Sequence, residues 1–153
     1  MSTPIIENIA ANVAAAVGQV TVANGYNQDL TAVRPRRVDF SDIVPEDRLV
    51  LVMQTDNEPT ASQFTGTKQW LQTFELQALV IDSDEAIGSV DTRINQIVSD
   101  LRKVMRVDPH RGGYAMDTIC GADSRFDDEG FSGAVIEMGV LYRTRVDDPY
   151  SQV

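Results

Sequence analysis

Apolar residues recur at two different periods along this chain, and the period predicts the element that carries them. Ile6, Ile9, Val13 and Ala16 or Val17 stand three or four residues apart, the spacing of one helical face, which predicts a helix over residues 4–17. Thr3 is placed to cap that helix, Pro4 to occupy its first position, Glu7 to sit in its first turn and Gly18 to stop it. Val20 and Val22 alternate with polar neighbours, so a short strand is predicted over residues 19–23, followed by a turn at Asn24, Gly25, Tyr26 and Asn27. A second strand over residues 32–40 is predicted to pair back through that turn, on a sheet edge because Pro35 lacks a ladder donor. The apolar run 49–53 reads as a strand buried on both faces.

Residues 54–67 are polar, hold Pro59 and Gly66 and show no period, so a flexible loop is expected there. Alternation then returns over residues 70–81, where Trp70, Phe74, Leu76, Ala78 and Val80 fall on the face predicted to meet the core. Asp82, Asp84 and Glu85 open what reads as a second helix, with carboxylates at the end its dipole favours. Val90, Ile94, Ile97, Val98, Leu101 and Val104 form its apolar stripe, and Arg102, Lys103 and Arg106 sit towards its C-terminus. A break at residues 109–113, a weaker strand over 114–121 and an acidic loop over 123–130 follow. A last strand over 134–145 places Ala134, Ile136, Met138, Val140 and Tyr142 on one face, and residues 147–153 are expected to be an exposed tail. Few helices and mostly successive strands predict one α+β domain over residues 1–153: an antiparallel or mixed sheet with two main helices packed on one face.

The 153 residues carry 23 acidic and 13 basic side chains, a formal net charge of −10. Such a chain has no pervasive basic surface with which to displace counterions from phosphates, so specific nucleic-acid binding is not expected. No apolar run approaches the roughly 20 residues of a membrane-spanning helix, and the opening Met-Ser-Thr-Pro lacks the basic region of a secretion signal, so a chain inside the cell, away from membranes, is expected.

One cysteine and one histidine leave little for catalysis or metal binding. His110 lies in a turn, where a surface role is the simplest reading, and Cys120 in a strand reads as a small buried hydrophobe without a neighbouring base. Asp123, Asp127, Asp128 and Glu129 offer hard oxygen donors but lack the spacing of a calcium loop, so a solvated acidic loop is favoured. Arg34, Arg36 and Arg37 are the basic cluster of the first half; they either protect a sheet edge or pair with an acidic neighbouring subunit. No phosphate-binding glycine loop, nucleophile elbow or zinc-protease motif occurs. No cofactor and no enzymatic activity are expected.

The opening Ile5-Ile6-Glu7-Asn8-Ile9, the segment Ala23-Asn24-Gly25-Tyr26-Asn27 with Asp29-Leu30, and the closing Tyr142-Arg143 with Asp148-Pro149-Tyr150 resemble the tail terminator (tail completion) proteins of tailed bacteriophages. The resemblance extends to the layout of elements along nearly the whole chain. It implies a virion structural protein, present in the host cytoplasm during assembly. Such a protein forms a ring, usually of six subunits, on the head-proximal end of the tail tube. The ring stops polymerisation of the tube protein and offers a surface to the head-tail connector or stopper. Six copies would carry on the order of −60, which suits a lumen that lets DNA pass without adhering. In this reading Arg34, Arg36 and Arg37 meet Asp123, Asp127, Asp128 and Glu129 across a subunit boundary. The alternatives are another neck component, namely a head-closure or head-tail joining protein, or a small α+β enzyme or ligand-binding domain built on His110, Cys120 and the acidic loop.

Overall fold

The computed structural model describes residues 2–35, 47–64, 66–81, 89–128 and 130–152. In chain order the elements are helix α1 (Ile5–Gly18), a 3-10 turn (Val22–Asn24), strand β1 (Thr31–Val33), β2 (Leu49–Phe64), β3 (Thr67–Val80), helix α2 (Val90–Val107), β4 (Asp117–Asp128) and β5 (Phe131–Arg145). The strands form one five-stranded mixed sheet in the order β1-β2-β3-β5-β4, with β1 parallel to β2 and all other neighbours antiparallel. The fold is α+β, as the alternation of β3 and β5 predicts.

Burial explains which face the helices cover. On β3, Phe74, Leu76, Ala78 and Val80 are buried, and on β5, Ala134, Ile136, Met138, Val140 and Tyr142 are buried. They join Val50 and Val52 of β2, Ile5, Ile9 and Val13 of α1, and Ile94, Ile97, Leu101 and Val104 of α2 in one core. Trp70 packs at its margin, half-buried, and donates from Nε1 to Thr144 Oγ1 at 3.1 Å. A smaller cluster of Leu49, Leu51 and Leu79, with Met53, Phe126 and Phe131 packed against it, occupies one end of the opposite face. Among the described residues no helix covers that face.

The structure departs from the sequence pattern in several places, each with a physical reason. Residues 19–23 form no strand: Thr21 Oγ1 accepts from Asn24 N at 3.2 Å and Asp29 Oδ1 from Val22 N at 2.7 Å, so side chains hold a tight turn and leave Val22 59% exposed. Gly25 closes it at φ +91°, a conformation for which glycine carries no Cβ penalty. No hairpin forms through that turn; β1 is only three residues long and pairs in parallel with Leu49, Val50 and Leu51. The rest of the predicted strand, residues 36–40, lies outside the described residues.

The expected flexible loop 54–67 is instead the outer half of the β2–β3 hairpin. Asn57 pairs with Gln72, Glu58 with Leu71 and Pro59 with Trp70, and register shifts on either side of this run absorb the irregularity. Pro59 is tolerated because, among the described residues, β2 has a strand neighbour on one side only at this point. The acidic loop at 123–130 is likewise strand as far as Asp128, the turn coming at Gly130 with φ +82°.

At the helix ends, α1 starts after Pro4 with no side-chain cap, so Thr3 does not serve there, and Gly18 is its last residue rather than its stop. The acidic start proposed for the second helix at Asp82, Asp84 and Glu85 lies outside the described residues. As described, α2 is capped by Ser89, whose Oγ accepts from Thr92 N at 3.2 Å. The tail is mostly exposed yet anchored: Ser151 O accepts from Arg145 N at 3.1 Å and Pro149 O from Ile5 N at 3.3 Å, tying the C-terminal residues to β5 and to the start of α1. No helix of the described residues is long and apolar enough to cross a membrane.

Candidate functional site

The charged residues singled out by sequence find partners within their own chain. Arg34, just past β1, reaches back to α1, with Nη1 at 2.6 Å from Glu7 Oε1 and Nη2 at 3.0 Å from Oε2, and its Nη2 also donates to Gln54 Oε1 at 3.3 Å. The bidentate Arg34 contact holds the Glu7 carboxyl below its usual range and raises the arginine. Both side chains are more than a third exposed, so solvent screening keeps the net worth of this pair within about 0–1 kcal/mol. Arg36 and Arg37 lie outside the described residues.

On β4, Asp123 is 15% exposed and is held by the guanidinium groups of Arg102, from α2, and Arg125, from its own strand. Arg125 extends the link by donating to Asn95 Oδ1 at 2.8 Å. Asp127 accepts from Ser132 Oγ at 2.7 Å across the hairpin, Asp128 is the last residue of β4, and Glu129 lies outside the described residues. The structure thus spreads Arg34 and the β4 carboxylates over opposite margins of the sheet, β1 and β4 being its two outermost strands.

His110 is exposed in the turn after α2, its Nδ1 3.1 Å from Met116 O. Cys120 is half-buried on β4, and burial pushes its thiol up despite Arg102, Arg106 and Arg111 nearby, the opposite of what a nucleophile needs. Among the described residues no three His, Cys, Asp or Glu side chains gather as metal ligands.

Sequence reasoning passed over the polar residues that hold the helices on the sheet. Arg93, 7% exposed, donates from Nη2 to both oxygens of Asp47 at 2.7 and 2.8 Å and from Nη1 to Ile81 O at 3.1 Å, fixing the start of α2 to the ends of β2 and β3. Asp100, 3% exposed, accepts from Asn27 N at 2.9 Å, Asn27 Nδ2 at 3.1 Å and Gln28 N at 3.3 Å. Lys103 Nζ lies 4.9 Å from the centre of the Tyr26 ring. The Ala23-Asn24-Gly25-Tyr26-Asn27 segment is therefore a turn docked on α2, and the carboxylate that receives it comes from 73 residues later in the chain.

Arg111 is fully buried at φ 50° and donates from Nη2 to Met105 O at 2.8 Å and to Asp108 O. It satisfies carbonyls that α2 leaves open at its C-terminus, where the helix dipole favours a cation. Asp108 in turn accepts from Gly112 N at 2.7 Å and His110 N at 3.1 Å, and these amides hold its carboxyl low. Beside this turn a cleft of about 390 Å³ lies between α1 and α2, lined by Asn12, Gln19, Tyr26, Val104, Asp108 and Arg111. Neither His110 nor Cys120 lines it.

Two strand edges and one face remain available. β1 covers β2 only as far as Leu51, so among the described residues the outer edge of β2 beyond that point has no strand neighbour, and β4 forms the other edge of the sheet. On the face away from the helices, a groove of about 240 Å³ runs between Leu71, Thr73, Ile119, Glu137 and Gly139. No protein-family model and no curated protein matches the chain.

Proposed function

We propose that this chain is a non-enzymatic virion protein, a tail terminator that closes into a ring on the head-proximal end of a tail tube. The resemblance of residues 5–9, 23–30 and 142–150 to that family motivates the reading. The observation that carries it is a sheet with two different edges that have no strand neighbour among the described residues. A closed ring requires a heterologous contact, in which one surface of a subunit meets a different surface of the next. The outer edge of β2 and the edge of β4 lie on opposite sides of the sheet and differ in sequence, so they can serve as two such surfaces. Because Arg34 and Asp123 already have partners within the chain, the expected meeting of these two charges across a boundary is set aside as the organising contact. The strand edges take its place, with Asp127 and Asp128 at the tip of β4.

Ring assembly on the tube end also fits a subunit whose helices and sheet share one core. α1 and α2 pack on the sheet in that core, and Asp100 and Arg93 find partners within the chain. The tail tube protein supplies the template and the head-tail connector the second face. The test is growth of purified tube protein from a defined baseplate or initiator, with this chain added during elongation. Arrest of growth, with the chain bound at the growing end alone, is the expected result. Unchanged tube lengths with no end-bound chain would refute the proposal.

A further inference from the structure

On the helix-free face of the sheet two carboxylates stand side by side: Glu75, half-buried on β3, and Glu137, exposed on β5, are direct cross-strand partners. Like charges directly opposite in a sheet destabilise it, and neither carboxylate has a hydrogen bond or ion pair with a described residue. On β3 and β5 the nearest cation of this face is Arg143, about 20 Å along the strand, where it meets Gln69 Oε1 at 3.4 Å. The row next to the carboxylates is Thr73 with Gly139, and Ile119 of β4 pairs with Gly139 on its other side. Because Gly139 has no side chain, the groove of about 240 Å³ opens over its backbone, walled by Leu71, Thr73 and Ile119 and bordered by Glu137.

We propose that this groove receives a lysine or arginine side chain from a partner protein, its methylene stem lying over Gly139 and its cationic head on Glu75 and Glu137. Such side chains bury their stems along apolar surface and keep the charge in a polar setting. The groove offers the two in that order, first Leu71 and Ile119, then the carboxylates one row further on. One row is about 6.8 Å, the reach of an extended lysine side chain. A bare cation would leave the apolar walls unused, and a diamine would set its second charge against the row of Leu71 and Leu141. A second copy of the chain is the poorer donor, because its cations are largely engaged within it. Arg34, Arg102, Arg106 and Arg125 hold ion pairs, and Lys68 and Lys103 lie over the rings of Trp70 and Tyr26. A chain of net charge −10 is matched instead by a different protein with a basic surface. The paired carboxylates cost stability in the isolated chain and gain their counter-charge in the complex. The contact uses neither strand edge and does not rest on the tail-terminator reading.

Titration of the isotope-labelled chain with N-acetyl-arginine amide, followed by backbone amide shifts, tests this. N-acetyl-citrulline amide keeps the stem without the charge, and guanidinium ion keeps the charge without the stem. Saturable shifts confined to the surroundings of Gly139, Ile119 and Glu137 are expected, with the arginine probe bound about fivefold or more tighter than either control. A five-residue peptide with arginine between two valines should bind more tightly still. The chain carrying Glu75→Gln and Glu137→Gln should bind the arginine probe about fivefold or more weakly, while its melting midpoint stays level or rises because the like charges are gone. Ile119→Ser, at a position 51% exposed, should weaken the arginine probe and leave guanidinium unchanged. No saturable shift at these residues, citrulline bound as well as arginine, or equal binding to the glutamine variant would overturn the proposal. Putrescine bound more tightly than the peptide would make a polyamine the occupant, and a concentration-dependent dimer in sedimentation velocity that the glutamine variant loses would make it a second copy; either result also overturns the proposal. None of these outcomes bears on tube-end binding, so the two readings fail separately.

Discussion

Replacing Asp100 by Ala removes one carboxylate and strands three donors: Asn27 N, Gln28 N and Asn27 Nδ2, at 2.9, 3.3 and 3.1 Å. A hydrogen bond to a charged group contributes about 1.5–3 kcal/mol net. The long Gln28 contact counts for less, and water reaches the exposed Asn27 and replaces part of what is lost. Alanine returns roughly 0.5 kcal/mol in helix propensity. The balance is a loss of about 2–3 kcal/mol, which for a domain of this size lowers the melting midpoint by roughly 5–10 °C. Urea unfolding should show this as a lower midpoint with an unchanged slope, because the surface exposed on unfolding is the same. Asn27→Ala, which deletes the side-chain bond and keeps both backbone donors satisfied, should cost about 1 kcal/mol. If Asp100→Ala loses less than about 0.5 kcal/mol, the docking of the 23–28 turn on α2 is not an energetic link and this part of the account is wrong.

Other consequences follow from particular contacts. A Cβ on Gly133 would sit 2.0 Å from the Ala78 carbonyl oxygen, whereas one on Gly139 would meet only the Leu71 side-chain end at 3.0 Å. Gly133→Ala should therefore cost about 3 kcal/mol or more and Gly139→Ala about 1 kcal/mol or less, read by chemical denaturation; equal losses would contradict the backbone clash. Hydrogen bonds hold the carboxyls of Glu7, Asp108, Asp117 and Asp148 below their usual values. Groups lowered in this way stabilise the fold above their unfolded pKa and lose that contribution as pH falls through the folded one. The melting midpoint should thus be flat above about pH 5 and fall below about pH 4, and Asp108→Asn should flatten the acid limb. Burial raises the Cys120 thiol, so iodoacetamide should label it several-fold more slowly than free cysteine at pH 7, until denaturant removes the difference. Replacing His110 by Ala should leave tube-end binding within about twofold, because His110 lies in the turn after α2 and on neither of the strand edges the proposal uses.

The elements that the sequence made legible are those with one dry face and one wet one. β3 and β5 alternate because the helices cover only one side of the sheet, and α2 shows its stripe because the opposite side of the helix meets water. The outer half of β2 is polar in sequence and, among the described residues, has no strand neighbour along one edge, so it carries no alternation and reads as a loop although Gln72, Leu71 and Trp70 pair with it. The acidic end of β4 is hidden for another reason. Its Asp123 is neutralised by Arg102, which comes from α2 and not from a neighbour in sequence. Asp100 and Arg93 look like the solvent side of a helix, yet they are buried because Asn27 and Asp47, from distant segments, complete them. The short strand read at residues 19–23 yields to local side-chain bonds from Thr21 and Asp29, a competition that alternation alone does not register. Of the candidate site, the residue types were visible in the sequence, while their partners within the chain were matters of tertiary placement.

The proposed tail-terminator role is tested most directly by electron microscopy of particles of a phage that encodes this chain, with the gene product removed and then supplied in trans. The account expects tails of irregular, overgrown length, detached from filled heads, that return to uniform length and join heads when the protein is restored. Tails of normal length beside heads that leak or fail to join would assign the protein to the head side of the neck, and wholly normal virions would contradict a role in the tail altogether.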